Sequence, residues 1–334
     1  MRQHQYVERE TGKVVDEKMF ADPIIQWLYS GVREKAPTMF NALTSSRFSS
    51  LLGYLNYESS LGFRLSGNQN FLKRCGFNFS ECVDHPDFLD TPKKVFERKI
   101  QYWNCRPLPS DANAIVSPAD SRVLVGSMEE TSQLFLKEKF FCLDELLKRD
   151  VVDWSEEFAD GEFAVFRLTP EKYHYNHSPV SGEVVDFYEV LGTYHSCNPS
   201  ALVTIATPYS KNKRNVTIID TDVEGGSNIG LVAMVEVVAL MIGDILQCYS
   251  SHKYEDPKDM ERSLFMEKGQ PKSLFRPGSS TVVTLFQKDR VQFAPEIVSN
   301  MTHPFAESRF SFDLQTPLVE TDVKVRSPIA TPKN

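Results

Sequence analysis

The sequence has no closely spaced cysteines. Its six, Cys75, Cys82, Cys105, Cys142, Cys197 and Cys248, show neither the pairing of a disulfide-stapled secreted domain nor the spacing of a metal knuckle. They read as reduced thiols in a cytosolic chain. Long apolar runs are also missing. The longest, from Ile229 towards Ile245, is interrupted by Glu236 and Asp244 and falls short of the roughly 20 residues a spanning helix needs. This excludes a transmembrane helix. The polar opening Met1-Arg2-Gln3-His4 lacks the apolar core of a signal peptide. Nor is there an excess of positive charge. Lys and Arg number 37 against 45 Asp and Glu, net −8, which argues against a general nucleic-acid binder. No internal repeat and no low-complexity segment is found.

What is present is an ordinary globular composition, 334 residues with 41% hydrophobic and 11% aromatic, enough for one large domain or two smaller ones. Residues 1–19 are polar and turn-rich. Ile24, Ile25, Leu28 and Val32 then fall at helical spacing, and Met39, Phe40, Leu43, Phe48, Leu51, Leu52 and Leu55 form a second apolar stripe. These predict two helices packed on the core or lying on a membrane surface. The second use is favoured by Trp27, Tyr29, Phe40, Phe48 and Tyr54, and by a local charge of +3 over residues 20–75. Residues 67–93 read as loop and 94–103 as a helix. After Arg106-Pro-Leu-Pro109 the texture changes to short β-branched runs separated by turns: Ala114–Val116, Arg122–Val125, Phe163–Leu168, Val184–Val190, Val216–Ile219, Ile229–Val238, Thr281–Phe286 and Val291–Phe293, with Leu143–Lys148 as a helical insert. The expected fold is α+β: a helical, membrane-apposed N-terminal region over residues 1–105, followed by a β-rich catalytic core over 106–334.

Three stretches could carry chemistry. Ser117-Pro-Ala-Asp120 places a carboxylate in a turn before a strand, where Asp commonly bonds its own backbone. Tyr173-His174-Tyr-Asn-His177 sets two histidines three residues apart. Without a third ligand nearby, no metal is expected. Gly278-Ser279-Ser280 stands at the mouth of the Thr281–Phe286 strand. Gly278 can adopt angles that a Cβ forbids, so the following peptide can be held strained, and the Ser279 hydroxyl is placed to attack the Gly278 carbonyl. With Asp120 and one of the histidines, Ser279 would complete a Ser-His-Asp arrangement, which is defined by geometry and not by chain order. An isolated Pro-Gly-Ser is otherwise an ordinary turn entering a strand.

Taken together, these segments resemble the phosphatidylserine decarboxylase family, pyruvoyl enzymes that make their prosthetic group by self-cleavage. Ser117-Pro-Ala-Asp120 is similar to the family's Pro-x-Asp-Gly turn. The segment from Leu168 through His174 and His177 to Pro179 is similar to its Tyr-His-Arg-x-His segment, and Asn212-Lys-Arg214 to its Asn-Glu-Arg. Lys268-Gly269 through Gly278-Ser279-Ser280-Thr281 is similar to its cleavage segment, and weaker likeness runs from Tyr6 to Ala330. Several positions depart from the pattern: Ser121 and Ser273 stand where glycine is usual, Tyr175 where arginine is, Val238 within a segment that usually holds glycine, and Ser280 where threonine is commoner. None of these removes a reactive group.

The resemblance implies cleavage after Gly278 into 1–278 and 279–334, with Ser279 as nucleophile and future pyruvoyl group. It gives His177 as the base, oriented by Asp120, and His174 as the proton donor during decarboxylation. The pyruvoyl group derived from Ser279 would be the sole cofactor, with no metal. Partners would be phosphatidylserine in an anionic membrane and the protein's own two chains, with room for a homodimer and no nucleic acid. The expected place is the cytoplasmic surface of a membrane. The rival readings are a soluble pyruvoyl decarboxylase of a free aromatic amino acid and a processing-dead lipid-binding module.

Overall fold

A computed structural model describes residues 3–19, 22–59, 78–129, 139–149, 151–240, 244–277 and 280–333. Sixteen strands occur among them: β1 (Gln5–Glu8), β2 (Lys13–Asp16), β3 (Ile115–Val116), β4 (Ser121–Ser127), β5 (Glu162–Leu168), β6 (Tyr175–His177), β7 (Gly182–Val190), β8 (Arg214–Asp220), β9 (Leu231–Val237), β10 (Ile245–Gln247), β11 (Phe265–Met266), β12 (Pro271–Phe275), β13 (Ser280–Phe286), β14 (Val291–Phe293), β15 (Glu320–Val323) and β16 (Pro328–Pro332). Ten form one sheet in the order β11-β7-β8-β9-β13-β5-β4-β15-β1-β2. Two three-stranded sheets, β10-β12-β6 and β14-β16-β3, flank it. The α+β expectation is met.

The β-branched run Thr281–Phe286 becomes the middle of the molecule. β13 pairs antiparallel with β9 on one side and β5 on the other over nearly its full length. Val282, Val283, Leu285 and Phe286 are completely buried. A strand covered on both faces reads as a continuous apolar run and not as an alternating one, which is why this segment shows no period of two. Each such side chain contributes roughly 1.5–3 kcal/mol on burial.

The amino end departs from its expected turn-rich texture. Residues 5–16 form the hairpin β1–β2, and β1 runs parallel to β15, so the first strands of the chain belong to the large sheet. A buried ionic joint fastens them. Arg167 of β5 donates to Glu320 at 2.8 Å and to Glu17 at 3.0 Å, and His4 lies 3.0 Å from Glu320. Burial alone would raise the Glu320 carboxyl, but Arg167 outweighs it and holds the group down at about 2. His4, Glu17 and Glu320 converge within 4.8 Å, yet Arg122 and Arg167 pair with the carboxylates. That makes the cluster an ion-paired clasp and not a ligand set.

The N-terminal stripes are helical: Asp22–Gln26 continues through a π-helical stretch, Trp27–Val32, into Arg33–Lys35, then Pro37–Leu43 and Ser46–Gly53 follow. Ile25, Leu28, Tyr29, Val32 and Phe40 pack on Ala201, Ile205 and Leu240. The outer face leaves Ile24, Trp27, Met39, Leu51 and Tyr54 45–63% exposed. No helix among the described residues is long and apolar enough to cross a membrane. The expected helix over 94–103 is instead two short ones, Pro92–Phe96 and Tyr102–Cys105. Between them Ile100 bridges to Cys82 in a β-pairing, a tertiary contact that overrides local helical spacing. The part of the expected loop covering 67–77 lies outside the described residues, as do Gly278 and Ser279.

Candidate active site

Three backbone segments are laced together at the mouth of β13. The His177 N–H donates to the Pro118 carbonyl at 2.8 Å, tying β6 to the Asp120 turn. Ser178 N–H donates to Gln270 O at 2.9 Å, and Gly269 N–H to Ser178 O at 2.7 Å, tying β6 to the Lys268-Gly269 turn. β12 then pairs with β6 and leads to Arg276 and Pro277. Gly269 is required in this turn. Its φ is +76°, and a Cβ there would stand 2.6 Å from the Leu108 side chain.

That glycine's carbonyl sets the state of His177. Nδ1 lies 2.8 Å from Gly269 O, and Nε2 lies 2.9 Å from the Tyr173 hydroxyl. A carbonyl only accepts, so Nδ1 carries the ring proton and Nε2 is the lone-pair nitrogen, facing Tyr173. The ring is fully buried, and burial pushes it down to about 3. It is therefore neutral near pH 7.

Asp120 is close by but differently engaged than the sequence suggests. Its carboxylate accepts two hydrogen bonds from Arg106, at 3.1 and 2.9 Å, and one from Val325 N–H at 2.7 Å. Burial would raise the carboxyl, but Arg106 outweighs this and keeps it below its ordinary value. It is thus charged, and it acts on the His177 ring through its field, while Gly269 and Tyr173 supply the ring's hydrogen bonds. Sequence reasoning missed Arg106 and these two partners. Only the fold brings Arg106 to Asp120, and no local pattern marks it.

His174 directly precedes β6, three residues before His177. It is fully buried and stacked on Phe96, with ring centroids 3.4 Å apart. Neither ring nitrogen has a well-formed hydrogen bond among the described residues. Burial, then the charge of Arg98, push its basicity well below the usual histidine range. The Ser280 hydroxyl at the start of β13 is likewise buried without a partner among the described residues, and the neighbouring Thr281 hydroxyl meets only the Tyr209 side chain, without a well-formed hydrogen bond. Orphaned buried polar atoms are costly and call for an explanation. Ser280 directly follows Ser279 in the chain, so one such atom stands next to the expected cleavage point.

The remaining matched segment has a structural use. Asn212 donates to His195 O and Val238 O, and Arg214 donates to the carbonyls of Leu146, Ser210, Asn212 and Glu145. This side chain fastens the helices Leu143–Leu146 and Pro208–Lys211 to β8. The departures are absorbed locally. Ser121 donates to Ala119 O, Tyr175 stacks on Tyr173, and Ser273 donates to the fully buried Glu236, which also pairs with Lys272 at 2.7 Å.

Comparison with known proteins identifies the family. The phosphatidylserine decarboxylase family profile matches residues 93–307. A phosphatidylserine decarboxylase proenzyme of Fusobacterium nucleatum is 28% identical over 89% of this chain and 91% of its own. One of Chlamydia trachomatis is 30% identical over 89% and 91%. A proenzyme 2 of Oryza sativa is 31% identical over 67% of this chain but only 33% of its own, longer sequence. The free amino acid reading is not favoured by these relatives. The chain belongs to the phosphatidylserine decarboxylase family.

Proposed function

We propose that this protein is a self-cleaving proenzyme that becomes a carboxy-lyase, converting phosphatidylserine to phosphatidylethanolamine at the surface of an anionic membrane. The observation that carries this reading is the dry cluster in which Asp120, His174 and His177 converge beside the segment leading to Gly278-Ser279, in a chain of this family.

For cleavage, Ser279 Oγ attacks the Gly278 carbonyl and the amide nitrogen leaves, giving an ester. Elimination and hydrolysis, with loss of ammonia, then leave a pyruvoyl group on residue 279. His177 is the base: neutral, and held in the tautomer with Nε2 free of hydrogen. Because Nε2 meets the Tyr173 hydroxyl, the serine proton reaches it when that hydroxyl yields its place or passes the proton on. The ionised Asp120 favours the imidazolium formed at that moment.

The residues fit a carbonyl-bearing group derived from Ser279, because Ser280, next to it in the chain, carries a buried hydroxyl without a partner among the described residues, and His174 a buried ring without well-formed hydrogen bonds. Such a group supplies an electron sink when the substrate carboxylate leaves. His174, neutral at rest, would first take up a proton from the substrate's ammonium and then deliver it to the carbon that has lost carbon dioxide, in a site that Phe96 shields from water. The exposed apolar face of the N-terminal helices would lie on the membrane. Intact mass and carbon dioxide release from phosphatidylserine vesicles test the reading. Two chains, the smaller with a blocked amino end, and release of carbon dioxide are expected. A single active chain would overturn the mechanism.

A further inference from the structure

The ring of His177 belongs to a longer chain of polar atoms. Its Nδ1 meets the Gly269 carbonyl at 2.8 Å and its Nε2 meets the Tyr173 hydroxyl at 2.9 Å. That hydroxyl lies 2.8 Å from the Tyr254 hydroxyl, which in turn donates to the Ile100 carbonyl at 2.8 Å. Both ends of the chain are therefore carbonyls, and a carbonyl only accepts. Four contacts in a row call for four hydrogens. A neutral imidazole and two phenols supply three. The chain is one proton short.

Where the gap falls follows from Ile100. Its N–H donates to the Tyr254 oxygen at 3.1 Å while its carbonyl takes the Tyr254 hydrogen. The lone pair that Tyr254 has left faces Tyr173 and accepts from it. Tyr173 has a single hydrogen, so Nε2 then faces an oxygen lone pair across 2.9 Å. Burial pushes both phenols well above the ordinary tyrosine value, so both keep their hydrogens near pH 7. Tyr173 and His177 are fully buried, where a lone pair without a donor is costly. One added proton completes every bond of the chain.

We propose that Tyr254 is a positioning residue for self-cleavage: it draws the Tyr173 hydrogen away from His177 Nε2 and so leaves the base an open lone pair for the proton of Ser279. The inference rests on the self-cleavage reading for the source of that proton. As Ser279 Oγ bonds to the Gly278 carbon, its proton fills the place between Nε2 and Tyr173. The proton then passes to the departing amide nitrogen of residue 279, and the chain returns to its open state. No phenolate forms and no other reactant is needed. Without the Tyr254 hydroxyl the count changes. Two contacts then remain for two hydrogens, Tyr173 donates to Nε2, and the base is masked.

The test follows newly translated full-length proenzyme on a denaturing gel as it cleaves, beside Tyr254→Phe, Tyr173→Phe and the double variant. Tyr254→Phe should slow cleavage roughly three- to tenfold, the factor that one hydrogen bond of ordinary strength supplies. In the Tyr173→Phe background the same substitution should change nothing, because Tyr254 acts only through Tyr173. A wild-type rate in Tyr254→Phe overturns the proposal. So does equal slowing in both backgrounds, which would make Tyr254 a support of the fold alone. A second readout does not need cleavage. In uncleaved Ser279→Ala carrying isotope-labelled histidine, nitrogen NMR near pH 7 reads the His177 Nε2 resonance, assigned by its loss in His177→Gln. Adding Tyr254→Phe should move it upfield, as a lone pair that gains a hydrogen bond does. An unmoved resonance overturns the proposal, and this readout carries the decision where Tyr173→Phe does not cleave. If the wild type stays uncleaved while the resonance moves, the self-cleavage reading fails and the chain stands.

Discussion

The ring of Phe96 lies on the ring of His174, with centroids 3.4 Å apart and planes 20° from parallel. The stack removes one face of the imidazole from water and leaves both nitrogens without well-formed hydrogen bonds among the described residues. Phe96→Leu should keep the site apolar but uncover the ring edge. Water then competes for the His174 proton, and burial no longer holds its basicity down as far. Self-cleavage should proceed, while carbon dioxide release falls about tenfold or more. Equal activity in the variant would show that the stack does nothing for the proton transfer.

The two histidines should separate by role. His177→Ala should leave a single uncleaved chain, as should Ser279→Ala. His174→Ala should cleave yet turn over roughly 100- to 10,000-fold more slowly. The measurement is a denaturing gel beside carbon dioxide release. Normal processing of His177→Ala, or full activity of His174→Ala, would reassign both.

Asp120→Ala should fail to cleave and should also be less stable. It leaves Arg106 buried, having lost the carboxylate that takes two of its hydrogen bonds, a change that typically costs about 3–5 kcal/mol. Denaturant unfolding of this variant against Ser279→Ala, both uncleaved, isolates that cost. Asp120→Asn tests the field alone. It should restore part of the stability without restoring cleavage.

Acid should destabilise the fold in two stages. His177 and His195 are held at about 3 and about 4 by burial, below the unfolded value of about 6.5. From pH 6.5 downward the unfolded chain binds more protons, so stability falls with pH. Each of the two should lose about 2 kcal/mol between pH 7 and pH 5. Below about pH 4.5 the depressed carboxyl of Glu320, held at about 2, adds a further loss for the same reason. Denaturant unfolding of uncleaved Ser279→Ala at pH 7, 5 and 4 checks this. A flat profile down to pH 5 would mean that these rings gain protons without unfolding.

After cleavage the two chains should stay together. β13 would belong to the small chain while both its neighbours, β9 and β5, belong to the large one. β15 and β16 of the small chain likewise pair with β4, β1 and β3 of the large one. Both chains should co-elute on gel filtration and part only under denaturant. Separation in native buffer would contradict the pairing.

Much of the central sheet was legible because its strands are local apolar runs. Phe163–Leu168, Val216–Ile219 and Thr281–Phe286 need no partner to be recognised. The first hairpin was not. Gln5–Glu8 and Lys13–Asp16 carry charges at their ends and are held by an ionic clasp to residues some 150 to 300 positions away. β12 was hidden for a related reason. Its Lys272 and Ser273 read as surface residues, yet both are fully buried against Glu236. At the site, residue identities came from motif order, since Asp120, His174 and His177 are local features. The hydrogen bonds of the His177 ring came from Tyr173 and Gly269 instead of the carboxylate, because tertiary distance decides which acceptor a ring meets.

The central place of β13 bears on how the protein is made. A cut ahead of Ser279 would turn the most enclosed strand of the sheet into the start of a separate molecule. In the intact chain its docking is an intramolecular closure, with effective concentrations that a second molecule in dilute solution does not match. Once unfolded, the cut protein would have to assemble by collision, at a rate set by concentration, with exposed strand edges in the meantime. The uncut chain would then fold more efficiently than the cut one, and a cleaved enzyme would inherit a shape it could not readily rebuild. Its survival would be set by the rate at which it unfolds, and activity lost to unfolding would return only with newly made proenzyme.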